Sequence, residues 1–253
     1  MMLKIFRLSP LEIEESITID VSRTILYGPN GSGKSNIMRT VFSLVSPDPL
    51  RMLRKYFEED YKKIDVILSD DDRAIGVRDG KIEGIRTIFN MNASFIEGDV
   101  AYVGTHMFDR RRIDIRENFE TIVKNEAFIW NIRDFLLNIE IPPSNIEKQK
   151  FSHGIKRALM ILYVLENSDV VFIEGFENNL HVDTLKKLFE YISDTYTGKI
   201  IVIETHNTLL LKLGILKKWN VYYIDRSIIK KLGGIEYLVN FELFRREIES
   251  TTI

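Results

Sequence analysis

At 253 residues, with 45% apolar and 28% charged side chains, the chain is long enough for one large core and ordinary in its balance of core and surface. Its 35 Lys and Arg stand against 37 Asp and Glu, spread evenly along the chain, which excludes a basic tail and a global field for nucleic acid. No cysteine is present, so disulfides and thiolate chemistry are excluded as well.

The opening MMLKIFRLSP lacks the apolar stretch of a signal peptide, and no apolar run approaches the ~20 residues of a membrane helix. A cytoplasmic protein without direct membrane insertion is expected. RTILY (Arg23 to Tyr27) predicts a buried β-strand, and SNIMRTVFSLV (Ser35 to Val45) carries apolar residues at helical spacing. Between them GPNGSGKS fits G-x-x-x-x-G-K-[ST] at every fixed position, in the strand–turn–helix setting that this phosphate-binding loop requires. Gly28, Gly31 and Gly33 let the backbone curl so that successive N–H groups meet phosphate oxygens, and the helix adds its positive end. Lys34 is the expected partner of the β- and γ-phosphates, and Ser35 the expected Mg²⁺ ligand. The candidate nucleotide-binding set is Gly28, Pro29, Asn30, Gly31, Ser32, Gly33, Lys34, Ser35 and Asn36.

Residues 51–69 begin as a charged amphipathic helix, LRMLRKYFEEDYKKI, and short strands broken by SDDD and RDGK follow. VAYVGTH (Val100 to His106) predicts another strand. Arg110, Arg111 and Arg112 in DRRRID suit either a phosphate or DNA contact or a solvated loop paired with Asp109 and Asp114. Residues 114–140 predict helices ended by Pro142 and Pro143. In FSHGIKRALMILYVLENS, Ser152 and Gly154 precede a run with helical periodicity, a capped helix whose N-terminus can face an anion. VVFI in DVVFIEGFENNLH predicts a buried parallel strand ending in Glu174, and IIVIETHN predicts another ending near His206. The four histidines, His106, His153, His181 and His206, show no metal-ligand spacing. The end, GGIEYLVNFELFRREIES, predicts a strand and a short helix that suit docking of a protein partner of unknown kind.

GPNGSGKSN, FSHGIKR, DVVFIEGFENNLHVD and IIVIETHN, in that order, resemble the phosphate loop, signature loop, Walker B strand and switch-histidine strand of the ABC-type P-loop ATPases. The third of these is similar to DEIENGLHP of the stand-alone branch, the SMC- and RecF-like and overcoming-lysogenization-defect-like AAA family ATPases. The resemblance implies an α/β P-loop NTPase, with a mixed, mostly parallel sheet flanked by helices, as one domain. Its core would span 1–50 and 150–225, an antiparallel β-subdomain about 51–113, a helical subdomain about 114–149, and a C-terminal strand and helix about 226–253. It further implies ATP and Mg²⁺ as cofactors and an ATP-dependent homodimer. Across that dimer Ser152, His153 and Gly154 would touch the partner's γ-phosphate, while Ser35 and Glu174 would serve the metal. Lys34, Glu174, Glu177 and His206 form the implied catalytic set.

Two departures from the family pattern stand out. Gly175 occupies the place of the glutamate that orients the attacking water, so hydrolysis would be slow, with Glu177 or Glu174 standing in, or lost. Near Val100 to His106, relatives carry a glutamine that senses Mg²⁺, whereas the chain's only glutamine is Gln149. A slow ATPase acting as switch or motor is the expected function. A non-hydrolysing nucleotide-binding module and an ABC-transporter ATP-binding subunit are the alternatives, and nucleic-acid binding rests on kinship alone.

Overall fold

The computed structural model describes residues 1–83, 89, 91–104, 111–148 and 150–233. In chain order the strands and helices begin with β1 (Met2–Arg7), β2 (Ile17–Asp20), β3 (Arg23–Tyr27), α1 (Lys34–Leu44) and α2 (Pro49–Phe57). Then come β4 (Asp65–Ser69), β5 (Ala74–Arg78), β6 (Lys81–Glu83), β7 (Ala93–Glu97), β8 (Val100–Val103) and β9 (Arg111–Asp114). Short helices α3 (Phe119–Val123), α4 (Glu126–Asn131) and α5 (Arg133–Asn138) lead to α6 (His153–Glu166), β10 (Val170–Glu174) and α7 (Val182–Thr195). The last elements are β11 (Ile200–Thr205), α8 (Thr208–Leu216), β12 (Asn220–Asp225) and β13 (Ile228–Leu232).

The large sheet has eight strands in the order β13-β12-β3-β11-β10-β7-β8-β9. Its middle, β12, β3, β11, β10 and β7, is parallel, and antiparallel strands close both edges. Parallel strands covered on both faces carry apolar residues at every position, and the period-2 geometry sorts those residues between two cores. Val171, Ile173, Ile201, Ile203 and Ile25 face the core built with α3 to α8. Val170, Phe172, Val202 and Leu26 face the one built with α1, α2 and the second sheet. Phe172 meets Phe42 of α1 edge-on at 5.8 Å and stacks on Phe95 of β7 at 6.0 Å, locking three elements together.

The second sheet is antiparallel and five-stranded, in the order β2-β1-β4-β5-β6. Here the structure differs from the sequence reading: β1 and β2 belong to this small sheet, and β7 to β9 belong to the large one, so neither lies where a 51–113 segment would put it. Sheet membership follows long-range pairing, such as Leu3 with Leu68, which local pattern does not report. The helix predicted from residue 51 starts at Pro49, capped by Asp48, whose carboxylate accepts from the Arg51 N–H at 3.2 Å. It ends at Phe57, where Glu58 takes φ 48 and a 3₁₀ turn over Glu58–Lys63 follows. The last of the three short helices stops before the proline pair, with Glu140 at φ 63. At the C-terminal side β13 forms a hairpin with β12 ahead of the stretch GGIEYLVNFELFRREIES, while both the strand and the helix predicted within that stretch lie beyond Gly233, outside the described residues.

Candidate functional site

The parallel arrangement brings the carboxyl ends of β3, β10 and β11 to one edge, the position where open α/β sheets hold ligands. Gly28 follows β3 directly, and the loop turns into α1 with Gly31 at φ 72 and Gly33 at φ 103. α1 begins at Lys34 without a side-chain cap, which leaves its first N–H groups to a ligand. Lys34 is buried; its Nζ donates to the Gly28 carbonyl at 3.0 Å, the Pro29 carbonyl at 2.6 Å and Ser32 Oγ at 3.3 Å. Burial pulls its pKa down, and the Glu204 carboxylate opposes that pull. Asn36 lies on the α1 side of the loop and donates to the Ser9 carbonyl at 2.6 Å. Pro29 and Asn30 are exposed on the loop's outer side. An open cleft of about 250 Å³ is lined by the loop together with Pro10, Arg39 and Glu204.

The acids at the strand ends arrange themselves around Ser35. Ser35 Oγ donates to Glu204 Oε2 at 2.8 Å, and Glu204 Oε1 lies 3.6 Å from Lys34 Nζ. Glu174, one strand further out, is 3.6 Å from Arg39, and its Oε2 is buried with no hydrogen-bond partner. Burial raises the pKa of Glu174, and the nearby Glu204 carboxylate adds to the rise. Arg39 also reaches Glu97, the register neighbour of Glu174, at 3.2 Å.

Gly175 is the point where the expected base is absent, and the backbone shows why. It sits at φ 57, and a Cβ built there would lie 2.3 Å from Asn178 Nδ2. Glu177 is committed elsewhere: its Oε2 accepts from Thr205 Oγ1 at 2.8 Å and its Oε1 from the His206 N–H at 2.7 Å. It therefore ties the turn after β10 to the end of β11. The His206 imidazole is exposed, and Asn207 caps α8, accepting from the Leu209 N–H at 2.8 Å.

Ser152 caps α6, accepting from the Ile155 N–H at 3.4 Å, and His153 Nε2 lies 2.9 Å from Asp99 Oδ1. Gly154 is where helix meets loop, since a Cβ there would lie 2.4 Å from the Asn179 carbonyl. Arg157, one turn on, is fully buried and donates to the carbonyls of Glu174 and Gly175 at 3.1 and 2.8 Å. The signature-like helix is thus bound to the turn after β10. His181 caps α7, its Nδ1 accepting from the Asp183 N–H at 3.4 Å. Arg112 pairs with Asp114 at 2.8 Å and Arg111 reaches the Tyr163 hydroxyl at 3.4 Å, whereas His106, Asp109, Arg110 and Gln149 lie outside the described residues.

Sequence reasoning placed Lys34, Ser35 and Glu174 at one edge but passed over Glu204, Arg39 and Asp99. Glu204 carried a signal: it is the one charge in the apolar strand IIVIET, and buried charges are retained where they have partners.

No protein-family model matches the sequence, and no curated protein matches it. Solved structures share its fold. A dimeric ATP-binding cassette in a post-hydrolysis state with ADP and phosphate aligns over 92% of this chain and 100% of its own, at 16% identity and a TM-score of 0.52. A nucleotide-free ATP-binding cassette from an ABC transporter aligns over 94% of both chains, at 13% identity and a TM-score of 0.52. The chain has the mixed α/β fold of the ATP-binding cassettes, a P-loop NTPase fold.

Proposed function

We propose that the chain binds Mg-ATP at its phosphate loop and closes, with ATP, into a head-to-tail homodimer, working as a nucleotide-controlled switch or motor with slow hydrolysis. One observation carries this reading: a glycine-rich loop at the carboxyl end of β3 holds buried Lys34 and partly buried Ser35 beside sheet-end carboxylates. The loop N–H groups from Asn30 to Gly33 and the first ones of α1 would take the phosphates, with Lys34 on the β- and γ-oxygens. The residues also fit a magnesium ion held by Ser35 and Glu174, because Glu174 Oε2 is buried and accepts no hydrogen bond, with the Arg39 guanidinium near it at 3.6 Å. No group of three His, Cys, Asp or Glu forms a metal cage among the described residues. That suits a magnesium ion, which takes most of its shell from water and phosphate. Bound there, it would neutralise charge developing on the phosphates.

His206, exposed at the end of β11, would meet the γ-phosphate from its own subunit. Ser152, His153 and Gly154 would meet the partner's, presented by α6 and the short helices before it. Likeness in fold to a cassette solved as a dimer is in keeping with this arrangement.

A second reading, a switch that binds ATP without turning it over, is favoured by Gly175 and by Glu177, whose two carboxylate oxygens both accept from the His206 loop. Membership of the stand-alone branch is supported by the GFENNLH turn. A transporter subunit draws support only from fold, and no helix among the described residues is long and apolar enough to cross a membrane. Steady-state ATP turnover with Mg²⁺, with Lys34→Ala as the contamination control, tests the proposal. Turnover lost in the control supports a slow ATPase with Glu174 or Glu177 assisting. Tight ATP binding without turnover supports the switch, and absence of both overturns the nucleotide reading. Salt-dependent binding of duplex DNA would bring nucleic acid in as a partner.

A further inference from the structure

Glu204 stands closer to the phosphate loop than the Walker B-like acid does. β11 lies between β3 and β10, and Glu204 pairs in register with Leu26, two residues before Gly28. Its side chain is 9% exposed and holds both residues on which the phosphate chemistry rests, Ser35 at 2.8 Å and Lys34 at 3.6 Å. Lys34 has further acceptors in the Gly28 and Pro29 carbonyls, so Glu204 is not required merely to satisfy it. The backbone of Glu204 is fixed as well, its carbonyl accepting from the Phe176 N–H at 3.1 Å.

A nucleoside triphosphate on this loop brings anionic oxygens to Lys34, and so to a buried carboxylate. Two like charges at such a distance in a poorly solvated site repel strongly. A divalent cation between them reverses the sign, because it is attracted by the carboxylate and the phosphate alike. Ser35, which Glu204 already engages, is the hydroxyl expected to bind that cation. We infer that Glu204 is a further binding residue of this site that makes nucleotide binding depend on magnesium: it opposes metal-free nucleotide and would share the metal with Ser35 when the two arrive together. Glu174, at the end of the neighbouring strand β10, would hold the same ion. The role rests on the proposed function and deepens it, giving the loop a preference for the metal complex over the free nucleotide.

The test is ATP affinity, by calorimetric titration in EDTA and in Mg²⁺, for the wild type, Glu204→Gln and Lys34→Ala. In the wild type, Mg²⁺ is expected to tighten binding at least ~10-fold, the scale of one screened charge pair. Glu204→Gln is expected to bind metal-free ATP about 10-fold more tightly than the wild type and to gain little from Mg²⁺. Lys34→Ala should bind weakly in both media. Equal affinities for wild type and Glu204→Gln in each medium would overturn the inference while leaving the proposed function intact. So would weaker metal-free binding by Glu204→Gln, which would make Glu204 a structural prop for Lys34. Wild-type affinity that ignores Mg²⁺ overturns it too, without any variant having to fold. Failure of the wild type to bind ATP in either medium overturns both readings.

Discussion

At position 175 the backbone sits at φ 57, and the side chain of Asn178 fills the space a β-carbon would need. Asn178 can rotate away, but the positive φ cannot be relieved without moving the turn, and non-glycine residues there carry about 1–3 kcal/mol of strain. Gly175→Glu, which places there the acid found in the family the sequence resembles, is therefore expected to lower stability by about 1–3 kcal/mol in urea unfolding and to add no ATP turnover. A gain in turnover would mean that the turn adapts and that glycine merely removed a base. Asp99 makes a second residue-scale case. Burial alone would push its carboxyl up, but bonds from His153 at 2.9 Å and Arg116 at 2.8 Å hold it below the usual carboxylate range. A carboxyl lowered in the folded state contributes stability that is present above its unfolded pKa and lost as pH falls through the folded value. Asp99→Asn should thus cost about 1 kcal/mol at pH near 7, with wild type and variant converging in acid below the carboxylate range. Thermal melts across that range check it; a gap that persists in acid would assign the loss to packing instead.

Among the elements, β10 joins core and site. Phe172 locks it to α1 and β7 through the contacts with Phe42 and Phe95, and Glu174 follows two residues later on the same strand. Phe172→Ala is expected to cost about 3–5 kcal/mol of unfolding free energy, as large aromatic truncations in packed cores do. Denaturant unfolding measures this, and a cost under 1 kcal/mol would show that the neighbouring rings collapse into the gap. The loop, β3, α1, β10 and β11 were legible in the sequence because each is specified locally: GPNGSGKS by its glycines and lysine, the strands by unbroken apolar runs. What Glu204 meets was not, because its partner Ser35 lies 169 residues away: the lone charge in IIVIET marks the residue but not its contacts. β1 and β2 were not assigned to the small sheet for the same reason: the pairing of Leu3 with Leu68 is a property of the folded chain. Glu177 was legible as an acid but not as a brace, since Thr205 and His206 meet it only once β10 and β11 lie side by side.

In the whole molecule, the loop and the signature-like helix engage different partners. Lys34 bonds within its own loop, whereas Ser152 bonds to α6 and His153 to Asp99. If the two act on one nucleotide, the head-to-tail dimer supplies the loop from one subunit and Ser152 from the other. Two variants separate the halves of such a site. Lys34→Ala disables the loop and spares the helix. Ser152→Asp spares the loop and keeps a good helix cap, because Asp caps about as well as Ser, yet in the proposed dimer it would set a carboxylate against the partner's γ-phosphate. Neither variant alone has an intact site in its homodimer. Mixed, they form a heterodimer in which one site has a working Lys34 and a working Ser152. Sedimentation with Mg-ATP at protein concentrations well above the wild-type dimerisation midpoint should therefore show monomer for each variant alone and dimer for the mixture. A mixture that stays monomeric while the wild type dimerises would mean that Ser152 serves its own subunit. Dimerisation by Ser152→Asp alone would remove the helix from the nucleotide site altogether.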